Sequence, residues 1–511
     1  MTDWTDGYMT DISYTYGYYP ELNPLRFRLP FLTSGLVLPK VEAACELGFG
    51  QGMSVGIHAA ASTACWHGTD FNSAHAGFAQ EMVAASGANA YLYDQSFEEF
   101  CMRTDLPDFD FIGLHGIWSW ISKENWTILV DFIRRKLKVG GVLYISYNTQ
   151  PGWAAMQPMR DLLYGHAQVM GASGGKIIDR VHAAIEFAER MLATNPAYAR
   201  HNPQVAERIK KIKKYNPRYV AHEYFNSHWQ PVSFVQMNEW LAAAKLDYAC
   251  SAQYREHVNV INLTEEQHRF LSAIPDRAFR ELVRDFMCDT QFRRDYWVKG
   301  ARQCDVPVYT EQLRGKRVVL QNARDEIKLR VNGALGEVRL NENIYGAILD
   351  LLGDHKPRTL GEIERAVQQK NIAFAQVIQA VMILIDKSNL ALAQDDNVAS
   401  KTRHITDRLN LHLMNKCRGS NDVAYLASPL TGGGVLVNRL QSLFLLADRQ
   451  GKKTHDEWAR FAWQHLAASN QRMMKDGKPI ESDEENLAEI TRHAKDFAEK
   501  RLPVLKKLLV I

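Results

Sequence analysis

The first 150 residues alternate between short apolar runs and stretches whose apolar positions recur at helical spacing. Runs at 41–47, 64–70, 89–94, 107–114 and 142–147 read as five strands. Residues 53–62, 72–85 and 125–138 carry helical patterns, the last with Trp126, Leu129, Val130, Ile133 and Leu137 on one face. Gly140 and Gly141 are expected to break that helix ahead of the fifth strand. Two more strands are expected within 246–263 to complete a sheet. Alternation of this kind predicts a parallel, doubly wound, Rossmann-like α/β sheet, whose ligands lie at the carboxyl ends of the strands.

Past residue 263 the pattern turns mainly helical. Residues 328–340 read as a hairpin, followed by helices at 342–352, 359–369 and 374–387 and a short strand at 390–393, a winged-helix-like order. A DNA-binding version needs cations on the third helix, and 374–385 contains no Lys or Arg, so nucleic acid is not expected as a partner. The expected domains are therefore 1–263, with a helical insertion at about 172–222; a helical middle region, 264–325; a winged-helix-like module, 326–398; and a helical C-terminal region, 399–511.

Composition changes this picture little. An apolar fraction of 46%, a charged fraction of 23% and a net charge of +3 are ordinary for a soluble globular protein, and 511 residues suit about three domains. No apolar run approaches the ~20 residues of a membrane helix, and residues 1–6 lack the features of a signal peptide, so a cytoplasmic protein with no membrane partner is expected. Seven scattered cysteines show no C-x-x-C and no metal spacing, and His222, Glu223 and His228 miss the i, i+4 spacing of a zinc helix, so no metal is expected.

Candidate chemistry begins at the first strand, which ends in Glu46 and runs into Gly48, Gly50 and Gly52. Such a turn lets a ligand approach the backbone and aims the amides of the next helix at it. The G-x-G-x-G spacing departs from the dinucleotide fingerprint, where the third glycine comes one residue later. Asp70, followed by Phe71, ends the second strand twenty residues after Gly50, the distance at which a carboxylate meets ribose hydroxyls. Asp94 and Gln95 end the third strand, His115 the fourth and Asn148 the fifth, so these groups should converge on one crevice. Residues 8–40, rich in Tyr and Pro, read either as a cap over its mouth or as packing on the outer surface.

The glycine turn resembles the S-adenosylmethionine turn of class I methyltransferases. Longer segments resemble one bacterial group of these enzymes, which carries a methyltransferase regulatory domain and includes rickettsial protein-lysine methyltransferases. His115-Gly116-Ile117-Trp118-Ser119-Trp120 is similar to that group's HGxxSW segment, and 146–153, from Ser146 to Trp153, to its SYNTxPGW segment. Residues 221–231 are similar to its HEYLN segment, and 285–294 to its DFLxNRxFRR segment, although Cys288-Asp289-Thr290 departs from the last pattern. Phe49 stands where the group usually has Cys.

The resemblance implies S-adenosylmethionine as cofactor, with Glu46, Gly48, Gly50 and Gly52 at its amino-acid part, Asp70 and Phe71 at the ribose, Asp94 and Gln95 at the adenine, and His115 nearby. From their place at the strand ends, His115 and Tyr147 are expected to orient the nucleophile or carry away its proton, with Asn148 beside them and Tyr16 closing over the site; Trp118, Trp153, His222 and Glu223 are candidate substrate contacts, with packing an open alternative for Trp118. The acceptor the resemblance implies is a lysine-bearing bacterial protein. Open alternatives are a surface glycan or natural-product intermediate, a nicotinamide enzyme on a similar sheet, and a regulator that uses the fold as a sensor; a homodimer is left open.

Overall fold

The computed structural model describes residue 8, residues 14–171 and residues 176–511. The expected insertion therefore begins on residues outside the described set, as do the leader at 1–6 and part of the aromatic segment.

One seven-stranded sheet organises the molecule. Its strands are β1 (Ala43–Leu47), β2 (Cys65–Asp70), β3 (Ala90–Asp94), β4 (Phe109–Leu114), β5 (Leu137–Asn148), β6 (Leu246–Ser251) and β7 (Phe292–Lys299), in the order β3-β2-β1-β4-β5-β7-β6. β1 to β5 are mutually parallel, whereas β7 is antiparallel to both its neighbours. The period-two alternation of side chains divides the core. Ala44, Phe111, Val142 and Tyr144 face one layer; Cys45, Leu47, Ile112, Leu143 and Ile145 face the other. Helices Met53–Ala61 and Asp396–Lys416 belong to the first layer, and Lys123–Lys136 with Phe234–Ala242 to the second. The sheet and the C-terminal region thus share one core.

Three expectations are corrected. Gly140 and Gly141 do not end a helix. The helix stops at Lys136, and β5 runs through both glycines, where the pairing with β4 shifts from Phe109↔Leu137 to Phe111↔Val142. Gly140, at φ +84°, supplies the backbone freedom that this irregularity requires.

Residues 246–263 hold one strand of the sheet, not two; the other is β7, beyond the expected boundary at 263. Its charged start, Arg293-Arg294-Asp295, hides the strand from a hydrophobicity reading. These charges are paired: Arg293, 4% exposed, donates to Asp285 and Asp295, each at 2.8 Å.

The third correction concerns the module at 326–398. Leu390–Ala393 does not close a wing on the hairpin, which forms a separate two-stranded ribbon, Arg330–Gly333 with Gly336–Arg339. It pairs instead with Arg317–Leu320, whose other edge carries Arg358–Thr359, and the chain then enters helix Asp396–Lys416. The C-terminal region is helical apart from short hairpins, one of them Tyr425–Ser428 with Gly433–Leu436. Among the described residues, no helix is long and apolar enough to cross a membrane.

Candidate functional site

A pocket opens at the carboxyl ends of β1, β2 and β4, where the topology reverses direction. The glycine turn forms its floor. Gly48 and Gly50 lie at φ +71° and +56°, conformations that side chains with a Cβ rarely adopt. Both line the pocket, with Phe49 and Gln51. A Cβ on Gly48 would also stand 2.4 Å from Ile117. Gly52 is different: it does not line the pocket, and its Cβ would meet that of Ala79 at 2.4 Å, so it serves the packing of the next two helices.

Two carboxylates define the polar wall. Asp70 accepts the Gly50 amide at 2.8 Å and the Asn72 amide at 3.0 Å, and lies 3.3 Å from His75 Nδ1. Glu46 is 3% exposed, and its Oε2 has no hydrogen-bond partner among the described residues. Burial, reinforced by the charge of Asp70, holds the Glu46 carboxyl well above its ordinary pKa. A buried, unmatched carboxylate costs free energy unless a donor or cation reaches it. Phe71 and Gln95 also line the pocket, followed by Ser96 and Phe97. Asp94 does not; it ends β3 exposed, and the wall expected from it comes from the residues just after it.

The aromatic segment covers this pocket through Tyr8, Tyr14 and Tyr19. Tyr16 instead packs edge-on against Phe78, 5.0 Å away, so the tyrosine singled out from the sequence is the wrong member of the group. Tyr19 stacks on His115 with ring centroids 3.7 Å apart, and His115 Nδ1 lies 2.7 Å from the Tyr144 hydroxyl. Burial, helped by Arg294 and opposed by Glu21, pushes the imidazole down to about 3. His115 thus stands in the pocket wall, stacked under Tyr19, where burial disfavours its charged form.

A small annex adjoins the pocket, sharing Tyr8, Tyr14, Gly116 and Trp120 with it and adding Tyr219, His222 and Glu223. His222 stacks with Tyr8 and meets Tyr14 edge-on. Burial pushes the Glu223 carboxyl up to about 7, against the pull of Arg208, Asn148 and Arg160. Asn148 does not line the pocket. Its backbone amide donates to Ser119 Oγ at 2.8 Å and its carbonyl accepts from Val232, which anchors the end of β5 beside the annex.

The remaining expected site residues are structural. Tyr147 is fully buried and donates to Asp295 Oδ2 at 2.8 Å. Trp118 stacks on Trp126 with centroids 5.0 Å apart, and Trp153 packs edge-on against Trp229. The last tryptophan of the motif, Trp120, faces the pocket instead. Tyr8, Tyr14, Tyr19, Trp120 and Tyr219 were missed as site residues; the aromatic richness of 8–40 was the signal for the first three.

The segments singled out from the sequence contact one another. Gly116 N donates to Ser146 Oγ, Gln230 N to Ser119 O, and Gly152 N to Thr290 O. Gln291 closes the last contact from its side chain, donating to Gly152 O at 2.8 Å. The 285–294 segment therefore braces the loop after β5.

Comparison with known proteins agrees with this architecture. A family model described as a predicted methyltransferase regulatory domain matches residues 216–299. A protein of Synechocystis sp., uncharacterized protein sll1526, is 38% identical over 510 residues, 99% of each chain. The chain belongs to the class I methyltransferases that carry a methyltransferase regulatory domain. A second relative of this methyltransferase, uncharacterized protein RP789 of Rickettsia prowazekii, is 26% identical over 289 residues, covering 54% of the chain and 49% of the relative. Among solved structures, PKMT2 from Rickettsia typhi in complex with AdoHcy shares the fold, with a TM-score of 0.67 at 16% identity over 94% of this chain and 97% of that one. The segment matched by the regulatory-domain model is woven into the methyltransferase sheet: it supplies β6, β7 and the annex residues His222 and Glu223.

Proposed function

We propose that this methyltransferase binds S-adenosylmethionine in the pocket and methylates lysine side chains of a protein. The pocket fits that cofactor on chemical grounds. Glu46 offers an unpartnered buried carboxylate oxygen to the ammonium of the amino-acid part. Asp70, at the end of β2, suits ribose hydroxyls, and Gln95, Ser96 and Phe97 suit the adenine. When bound, the cofactor supplies a methyl group activated on a sulfonium.

The observation that carries the lysine reading is the annex. A cationic amine entering it would meet the faces or edges of Tyr8, Tyr14, Trp120 and Tyr219, then the Glu223 carboxylate. Lysine must lose a proton before its nitrogen attacks, and its free pKa is about 10.4. Desolvation among aromatic side chains lowers that value, while Glu223, at about 7, is poised to accept the proton. His115, Tyr19 and Gly116 then serve to exclude water and shape the wall.

The test is to incubate the protein with methyl-labelled S-adenosylmethionine and a lysate of its own organism, then separate protein, glycan and small-molecule fractions. Base-stable label on protein, recovered as methyl-lysine after hydrolysis, is expected. Label confined to glycan or small molecules would overturn the lysine assignment while leaving the cofactor reading intact.

A further inference from the structure

A second cavity lies behind Tyr19, whose ring lines both this cavity and the cofactor pocket. It is enclosed by the N-terminal segment 18–26, by Tyr254, Arg255 and Arg294 beside the sheet, by residues 321–322 and 385–392, and by the C-terminal hairpin with Arg501. Nothing in the proposed transfer reaction uses it.

Its charge is one-sided. Arg26, Arg255, Arg294, Lys387 and Arg501 line it, against only two carboxylates, Glu21 and Asp386. Both acids are engaged: Glu21 accepts Arg294 at 2.7 Å, and Asp386 accepts Arg255 at 3.2 Å. Lys387 donates to the carbonyls of Lys328 and Arg330, and Arg501 to those of Gln321 and Leu436, neutral acceptors that bring no balancing charge.

Three buried polar groups lining the cavity, Arg26 Nε, Arg294 Nε and the Thr431 hydroxyl, have no hydrogen-bond partner among the described residues. Arg26 lies over the Tyr254 ring at 4.7 Å, and its buried Nε has no acceptor among the described residues. Thr431, 5% exposed, also has a buried hydroxyl without a partner. Buried donors are rarely left unmatched in a folded protein, and guanidinium groups match phosphate and carboxylate oxygens in charge and shape. Tyr18, Tyr254 and Tyr425 add flat apolar walls.

We propose that this cavity is a second ligand site, for a small molecule carrying at least two negative charges as phosphates or carboxylates. The proposal does not depend on the identity of the methyl acceptor.

Calorimetry on the full chain tests it, with pyrophosphate and citrate as probes, at low salt and with S-adenosylhomocysteine present or absent. Saturable binding is expected, retained when S-adenosylhomocysteine is present, and weakened about tenfold by Arg26→Ala or Lys387→Gln. Tighter binding of pyrophosphate would mark a phosphorylated ligand; tighter binding of citrate, a polycarboxylate. Because Arg26→Ala removes a packed side chain, Lys387→Gln with an unchanged melting temperature is the decisive variant. No binding of either probe at millimolar concentration would overturn the proposal. So would competition by S-adenosylhomocysteine, or affinity unchanged by Lys387→Gln.

Discussion

The two ends of the active pocket are built by different means. The glycine-turn end comes from consecutive β-α units of one sheet. Its shape follows from backbone geometry at Gly48 and Gly50 and from the carboxylates at the ends of β1 and β2. The annex end is assembled from distant pieces: Tyr8 and Tyr14 from the N-terminal segment, Trp120 from the loop after β4, and Tyr219 to Glu223 from the matched regulatory segment. A local turn can be kept while its surroundings change; an annex built from three segments changes whenever any of them shifts. Under the proposed function, the glycine-turn end suits a constant ligand, and acceptor choice falls to the annex.

Substitutions at the two ends should separate these roles. The largest effect is expected from Glu223→Gln, which removes the proposed proton acceptor and should lower the transfer rate about 100-fold or more, with cofactor affinity nearly unchanged. The carboxyl titrates near 7 and acts only when ionised, so kcat/KM in the parent should rise with pH through about 7; the variant should lose that limb. Single-turnover rates between pH 5.5 and 9 check both points. Equal loss of cofactor binding would break the distinction between the ends.

Asp70→Ala comes next. It should weaken cofactor binding by ~1–3 kcal/mol, since it deletes a side-chain acceptor that also fixes the Gly50 amide. Calorimetry with S-adenosylhomocysteine measures this, and a change in turnover at saturating cofactor exceeding the change in affinity would count against it.

Tyr147→Phe sharpens the comparison from outside the pocket. Removing a hydroxyl that donates to the buried Asp295 should cost about 1–2 kcal/mol of stability, read by denaturant unfolding, with little change in the transfer rate per folded molecule. A large rate defect in a fully folded variant would restore Tyr147 to the chemistry.

The smallest effect concerns Glu46. Its folded pKa is raised, so the native state holds the proton more tightly than the unfolded chain, and stability falls as pH rises from the unfolded value toward the folded one. Without cofactor, Glu46→Gln should flatten this part of the melting-temperature profile. In the parent, bound cofactor should offset the loss by pairing the carboxylate.

The sequence alone determined the parallel core of the sheet and the meeting of Glu46, Gly48, Gly50 and Asp70 at one pocket, because both depend on local rules. Short apolar runs mark five strands, and acids or glycines at strand ends mark the crevice without knowledge of distant contacts. Segment resemblance supplied the family. Tertiary structure decided the rest. β7 was hidden because its strand begins with charges whose partners, Asp285 and Asp295, are recognisable only once folded. Asp94 was misplaced because one residue of register along a strand end decides whether a side chain enters the pocket or solvent. Choosing Tyr14 and Tyr19 over Tyr16, or Trp120 over Trp118, was beyond the pattern for the same reason: neighbouring aromatics have equal hydrophobicity, and only the path of the backbone determines which ring faces the ligand.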